Sequence, residues 1–230
     1  MNDTTIKRVA GRGRFITFEG GEGSGKSTQI KRLAERLEAS KLHVLVTREP
    51  GGSVGAEIIR HLVLSGMGKL LGADAETLLF AAARDDHVRN VILPALNQGT
   101  WVLCDRFFDS TRVYQGKVSH VAPGLLNAMQ RVTIGDLKPD LTIILDVPVE
   151  VGLKRAASRR GGAEPDRFES EDLKFHQELR DAYREIANAE PERCVLIDAT
   201  ADANTVAGHV WMALRDRFFS APAGSVANPA

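Results

Sequence analysis

The stretch FEGGEGSGKST, Phe18 to Thr28, decides the fold. Gly20 to Ser27 fits G-x-x-x-x-G-K-[ST]. The run before it, RFITFE (14–19), is short and β-rich. The run after it, Ser24 to Ser40, has helical spacing: Ile30, Leu33, Ala34 and Leu37 fall on one side, with Lys31, Arg32, Glu35 and Arg36 around them. A strand that opens through glycines into a helix is the context in which main-chain N–H groups cradle phosphates. Glycine permits the turn and the close approach of backbone to anion, and the helix N-terminus adds partial positive charge. Lys26 supplies a full charge to the outer phosphates, and Ser27 offers a hydroxyl to Mg²⁺. Gly20, Gly21, Glu22, Gly23, Ser24, Gly25, Lys26, Ser27 and Thr28 are therefore the candidate nucleotide-phosphate loop. One carboxylate, Glu22, stands in the middle of a cradle for polyanions, and its presence needs a reason.

Outward from this loop, strand and helix signals alternate. HVLVTRE (43–49) is a second strand, ended by Pro50-Gly51-Gly52. Ser53 is the expected cap of a helix over Val54 to Leu64, and Asp74 the expected cap of a longer helix running to about Asn97 and ended by Gly99. TWVLCD (100–105), LTIILDV (141–147) and RCVLID (193–198) are three further strands. Alternation of this kind predicts a parallel sheet covered by helices on both faces. There is no internal repeat and no linker that divides the chain. RRGGAEP (159–165), glycine-rich and basic within helical flanks, is expected to be a moving loop.

Composition bounds the partners. The chain has 230 residues, 43% hydrophobic and 26% charged, with a formal net charge of zero, so a nucleic-acid polyanion is not an obvious partner. Cys104 and Cys194 have no metal-binding or disulfide spacing and are expected to be buried thiols. No apolar run approaches the ~20 residues of a membrane span, and the first fourteen residues lack the apolar centre of a secretory signal. The expectation is a cytoplasmic protein with a flexible basic leader (1–13), one domain over 14–219 and a disordered, proline-containing tail (220–230).

Asp105, at the end of WVLCD, stands where a carboxylate follows an apolar strand and reaches a nucleotide-bound metal; with Ser27 it forms the candidate metal site. Asp146 has a similar position after LTIIL and reads as structural. A GTP switch would carry an N-K-x-D segment, which this chain lacks, and a motor or transporter ATPase would bring a partner domain or long arms. The remaining class is a small kinase with a second anion site and a basic lid. Arg48, in TREPGG, and Arg106, in DRFFDST, both lie at the carboxyl ends of parallel strands, the ligand edge of such sheets, and guanidinium groups fork onto phosphate oxygens. Lid candidates are Arg155, Arg159, Arg160 and Arg167. Another nucleotide kinase and a non-catalytic nucleotide-binding module are the competing readings.

FEGGEGSGKST, TREPGG, LLFAAARDDH, DRFFDSTRVYQG and RRGGAEPDRFE, in that order over nearly the whole chain, resemble the bacterial thymidylate kinases among the P-loop nucleoside monophosphate kinases. The resemblance implies a three-layer α/β/α P-loop fold around a five-stranded parallel sheet, with a lid at about 155–168. It implies transfer of the γ-phosphoryl group of ATP, with Mg²⁺, to dTMP, and a homodimer packed through helices. Under it, Glu22 is similar to the loop acid that faces the sugar of the acceptor. A carboxylate aimed at a triphosphate would be repelled by roughly several kcal/mol; turned the other way it accepts from a 3′-hydroxyl. Arg48 and Arg106 resemble the acceptor-phosphate ligands. Phe80 and Arg84, four apart on one helix face, resemble the pair that stacks on thymine and donates to its carbonyl, although read on their own they fit a core Phe beside a paired Arg better. Ser110, Thr111, Tyr114 and Gln115 resemble the segment closing over base and sugar. No arginine stands inside the phosphate loop, and the resemblance gives that charge to the lid, as Arg159 or Arg160.

Overall fold

The computed structural model describes residues 11–161, 164 and 167–219. Five strands, β1 (Phe15–Glu19), β2 (Val44–Arg48), β3 (Trp101–Asp105), β4 (Leu141–Asp146) and β5 (Cys194–Asp198), form one sheet in the order β2-β3-β1-β4-β5. All pairings are parallel; Phe18 lies opposite Asp105 on one side and Ile143 on the other. β1 is central and wholly buried. Its side chains alternate between two cores, as a sheet covered on both faces requires. Ile16 and Phe18 pack with Leu33 and Leu37 of α1 (Lys26–Ala39) and with Val210 and Leu214 of α9 (Ala203–Phe218). Phe15 points the other way, into a cluster with Ile92, Leu96 and Phe107, its ring meeting Phe107 edge-on at 4.8 Å. Both cysteines are buried and free.

Helix α2 (Val54–Leu64) begins where the sequence places it, but the Ser53 hydroxyl does not cap it. Ser53 Oγ donates instead to Asp86 Oδ2 at 2.6 Å, and the same carboxylate accepts from Ala56 N–H at 3.3 Å. The cap is thus supplied by a neighbouring helix, which sequence spacing does not reveal. The next helix, α3 (Ala73–His87), is capped by Gly72 rather than Asp74. Gly72 has φ 84°, a turn that favours glycine, and Asp74 falls in the first turn, where its charge meets the positive helix end. Nor does α3 run unbroken to Asn97. Over Val88–Ile92 the ladder widens, with Leu93 N–H bonding to Val88 C=O, before α4 (Leu93–Asn97) resumes. Pro94 has no N–H to give and its ring crowds the preceding turn, which accounts for the widening. Gly99, φ 77°, closes the helix with Gly99 N–H on Leu96 C=O and Thr100 N–H on Ala95 C=O.

After β3 come the short α5 (Phe108–Thr111), a wide turn over Arg112–Val118, and α6 (Pro123–Thr133); β4 leads to α7 (Val149–Arg160) and then α8 (Leu173–Ala189). Asp146 is held by Arg180, through Nε and Nη2 at 2.7 and 2.9 Å, and by Arg184 at 2.8 Å, so it ties β4 to α8. Gly13, assigned to the leader by its sequence, already belongs to the fold: its N–H bonds Leu96 C=O at 2.8 Å, and a Cβ there would lie 1.8 Å from Thr100 O. The rest of the expected leader through residue 10, the tail from 220, and Gly162, Ala163, Pro165 and Asp166 of the expected lid lie outside the described residues.

Two glycines seat α7 on the phosphate loop. A Cβ on Gly23 would stand 1.9 Å from Gly152 O, and a Cβ on Gly152 would stand 2.5 Å from Glu22 O. Backbone meets backbone there, so no side chain can swing aside. Gly152→Ala should lower the unfolding free energy by about 1–3 kcal/mol, the range for overpacking, as read from urea denaturation. A variant as stable as the parent would show that the contact is not tight.

Candidate active site

The carboxyl ends of β2 and β3, with the loop after β1, border a cavity of about 350 Å³. The phosphate loop forms one wall, from Glu22 to Thr28. Lys26 is buried, and its Nζ donates to Gly20 O and Gly21 O, each at 3.0 Å. Burial and the nearby Arg106 charge push Lys26 down from the usual lysine range, against the pull of Glu22 and Asp105. Ser27 Oγ donates to Asp105 Oδ2 at 2.9 Å, so the hydroxyl and carboxylate expected to share a metal are neighbours. This follows from the β1–β3 pairing, which sets the loop beside the end of β3.

Glu22 turns away from the cradle. Its Oε1 accepts from Arg106 Nη2 at 2.5 Å and from Tyr114 OH at 3.3 Å. Burial pushes its carboxyl up, but the Arg106 and Lys26 charges outweigh burial and hold it down at about 2. Glu22 therefore stays ionised across the physiological range. Arg106 occupies a left-handed backbone position, φ 68°. Its Nη1 reaches Gly20 O (3.3 Å), Ser110 Oγ (3.4 Å) and Tyr183 OH (3.2 Å).

The second wall carries Arg48, Phe80, Arg84, Ser110, Thr111, Tyr114 and Gln115, all bordering the same cavity. Arg48 is half exposed and paired with Glu57 at 2.9 Å. Phe80 is 9% exposed, at once part of the core and part of the wall. The four arginines expected in a lid separate. Arg159 borders the cavity and lies 3.6 Å from Glu169. Arg160 pairs with Glu169 and Arg167 with Glu76, and neither borders the cavity. Arg155 points to the far side, donating to Ala199 O and Thr200 O at 2.7 and 2.9 Å.

Sequence reasoning passed over several groups here. Glu49 and Arg60 border the cavity, as does Phe168. Glu49 stands inside TREPGG, and an acid beside an arginine at a strand end was the available signal. Glu19, the last residue of β1, is wholly buried. It accepts from Phe107 N–H (2.8 Å), Ser110 Oγ (2.7 Å) and Tyr183 OH (3.0 Å), fixing the segment that carries Arg106. A charged residue ending an otherwise apolar buried strand was its signal.

Burial and the charge of Asp109 push the Glu19 carboxyl up to about 7, against the hydrogen bonds from Ser110 and Phe107 and the Arg106 charge. In the unfolded chain it titrates near about 4.3. Between those values the folded chain keeps a proton that the unfolded chain has lost, so this group lowers stability as pH rises through the window. Glu19→Gln removes the titration. Urea denaturation between pH 5 and 7.5 should show parent stability falling relative to the variant as pH rises; parallel curves would refute this.

The thymidylate kinase family pattern matches residues 18–209. A thymidylate kinase of Bradyrhizobium sp. (strain ORS 278) is 74% identical over 98% of this chain and 100% of its own. That of Nitrobacter winogradskyi is 72% identical over the full length of both. The crystal structure of thymidylate kinase from Ehrlichia chaffeensis superposes with a TM-score of 0.71 at 35% identity, covering 89% of this chain and 99% of that one. This chain belongs to the thymidylate kinase family.

Proposed function

We propose that the chain transfers the γ-phosphoryl group of ATP to dTMP, giving dTDP and ADP, with residues 14–219 acting as one kinase domain. The observation that carries this is the sharing of one cavity by a phosphate loop and by Arg48, Arg106, Phe80 and Arg84. Main-chain N–H groups of the loop and Lys26 hold the ATP phosphates, with the carbonyls of Gly20 and Gly21 releasing Lys26 as they bind. Arg106 and Arg48 hold the dTMP phosphate. Glu22, already turned toward Arg106 and Tyr114, accepts from the sugar hydroxyl, which is why an acid is tolerated in this loop. Phe80 stacks on thymine, Arg84 donates to a ring carbonyl, and Ser110, Thr111, Tyr114 and Gln115 close the pocket. In-line placement and charge neutralisation then suffice, without a dedicated base.

Ser27 and Asp105 fit Mg²⁺. A hydroxyl and one carboxylate are hard oxygen donors, and Mg²⁺ commonly takes one or two carboxylates with phosphate oxygens and waters. Among the described residues there is no cluster of three His, Cys, Asp or Glu that would suit a protein-caged metal instead. When bound, the ion neutralises charge on the β- and γ-phosphates.

Arg159 is the better placed of the two lid alternatives, since it borders the cavity and adds to the field at Glu22. We assign it the charge that the loop lacks. The chain works as a homodimer: Val54 and Ile58, one turn apart on α2, are 86% and 70% exposed, and Leu70 and Leu71 on the turn before α3 are exposed as well, apolar surface that a second copy would cover. Cytoplasmic residence suits a nucleotide-synthesising enzyme, and no helix among the described residues is long and apolar enough to cross a membrane.

ADP formation measured with and without dTMP, and across a panel of nucleoside monophosphates, tests the activity; ATP consumption indifferent to dTMP would overturn it. Lys26→Ala should lower kcat on the order of a hundredfold or more with an unchanged circular dichroism spectrum. Arg159→Ala should lower kcat while calorimetric dTMP affinity stays within about twofold; collapse of that affinity would move Arg159 to the acceptor site. In ultracentrifugation the parent chain should sediment as a dimer and Ile58→Asp as a monomer, and a monomeric parent would discard the α2 face.

A further inference from the structure

Arg84 has five N–H groups. Among the described residues, three are committed within the protein: Nε to Glu49 Oε2 at 2.7 Å, Nη1 to Thr111 Oγ1 at 2.9 Å, and Nη2 to Phe107 O at 3.2 Å. Two remain, one on each terminal nitrogen, on a side chain that borders the cavity. Because the guanidinium is planar, bonds at all three nitrogens fix its plane and so the direction of the remaining pair.

Glu49 is itself held from behind. Its Oε1 lies 3.1 Å from His87 Nδ1, and His87 Nε2 lies 2.7 Å from Thr47 Oγ1. His87 is fully buried on α3, three residues after Arg84 and so on the same face. The Nδ1 proton goes to the carboxylate, and Nε2 shares a hydrogen with the Thr47 hydroxyl. The chain of contacts thus runs from β2 to α3, back to the loop after β2, and through Arg84 to α5. Gly52 roofs it: a Cβ there would stand 2.4 Å from both His87 Nε2 and Thr47 Oγ1.

We propose that His87 and Thr47 are positioning residues for base recognition. Acting through Glu49, they fix Arg84 so that its two spare N–H groups meet the carbonyl that distinguishes thymine from cytosine. The inference rests on the reading of Arg84 given under Proposed function. A guanidinium only donates, so a correctly held Arg84 accepts a keto pyrimidine and leaves the amino group of cytosine opposed by a second donor. An Arg84 freed to tilt would lose that discrimination before it lost the chemistry.

The test is steady-state kinetics of the full chain with dTMP and with dCMP, alongside thermal denaturation. His87→Ala should raise KM for dTMP about tenfold, leave kcat within about twofold, and shrink the dTMP-to-dCMP ratio of kcat/KM. His87→Asn, whose amide N–H replaces Nδ1, should restore most of the ratio; His87→Gln, which reaches toward Thr47 instead, should not. Thr47→Val should act in the same direction, more weakly. Lower melting temperatures with KM and the ratio unchanged would make the chain of contacts merely structural and overturn the proposal, as would equal behaviour of Asn and Gln. Arg84→Ala separates the two readings. If it leaves dTMP KM and the ratio unaltered, the assignment of Arg84 fails; if it alters them while His87→Ala does not, only the present inference fails. Should His87→Ala not fold, the Asn-to-Gln comparison and Thr47→Val still decide.

Discussion

The ion pair between Glu22 and Arg106 joins the two halves of the site. One partner comes from the loop after β1 and the other from the residue after β3. These strands are neighbours in a parallel sheet, so both loops leave the same edge. The pair is mostly shielded from solvent on both sides. Removing either charge would leave the other desolvated, which is costly. Arg106 is anchored further by Gly20, Ser110 and Tyr183, and Glu19 holds Ser110 and Tyr183 from below. Arg106 is therefore held in one orientation, at the expense of a left-handed backbone at a non-glycine residue.

That arrangement explains a division of labour along the sheet edge. The loop after β1 brings Lys26 and Ser27 to the cavity, and β3 brings Asp105 to the Ser27 hydroxyl. β2 supplies Arg48 and, through Glu49, a support for Arg84. The cavity wall carries six cations and three carboxylates, and its inner cations each rest on a protein acceptor: Lys26 on the carbonyls of Gly20 and Gly21, Arg84 on Glu49 and Arg106 on Glu22. Contacts of this kind fix the direction of each cation before any ligand arrives.

Much of this was legible in the sequence because it depends on short-range chemistry. FEGGEGSGKST specifies strand, turn and helix within eleven residues, and the apolar runs of the other strands specify the parallel sheet. The sheet then brings Ser27 to Asp105 without further information. What escaped depends on contacts between distant elements. The cap of α2 comes from Asp86, thirty residues away, in place of Ser53. Asp74 looked like a cap because Gly72 announces itself only through its φ. Spacing could not separate Arg159 from Arg160, because what sets them apart is Glu169, which pairs with Arg160 and lies 3.6 Å from Arg159. Glu19 and His87 act entirely inside the core, where sequence shows a residue type and not its partners.

Helix α7 is fastened in two places, at Gly152 against the backbone of the phosphate loop and at Arg155 on the carbonyls after β5. Such a helix cannot roll about its own axis. Arg159 keeps its bearing only while the count of residues from those two fastenings is preserved, since each residue added or removed turns everything beyond it by about 100°. An insertion or deletion between Gly152 and Arg159 would thus swing Arg159 away from the cavity it borders, and the stretch from 152 to 159 behaves as a fixed ruler.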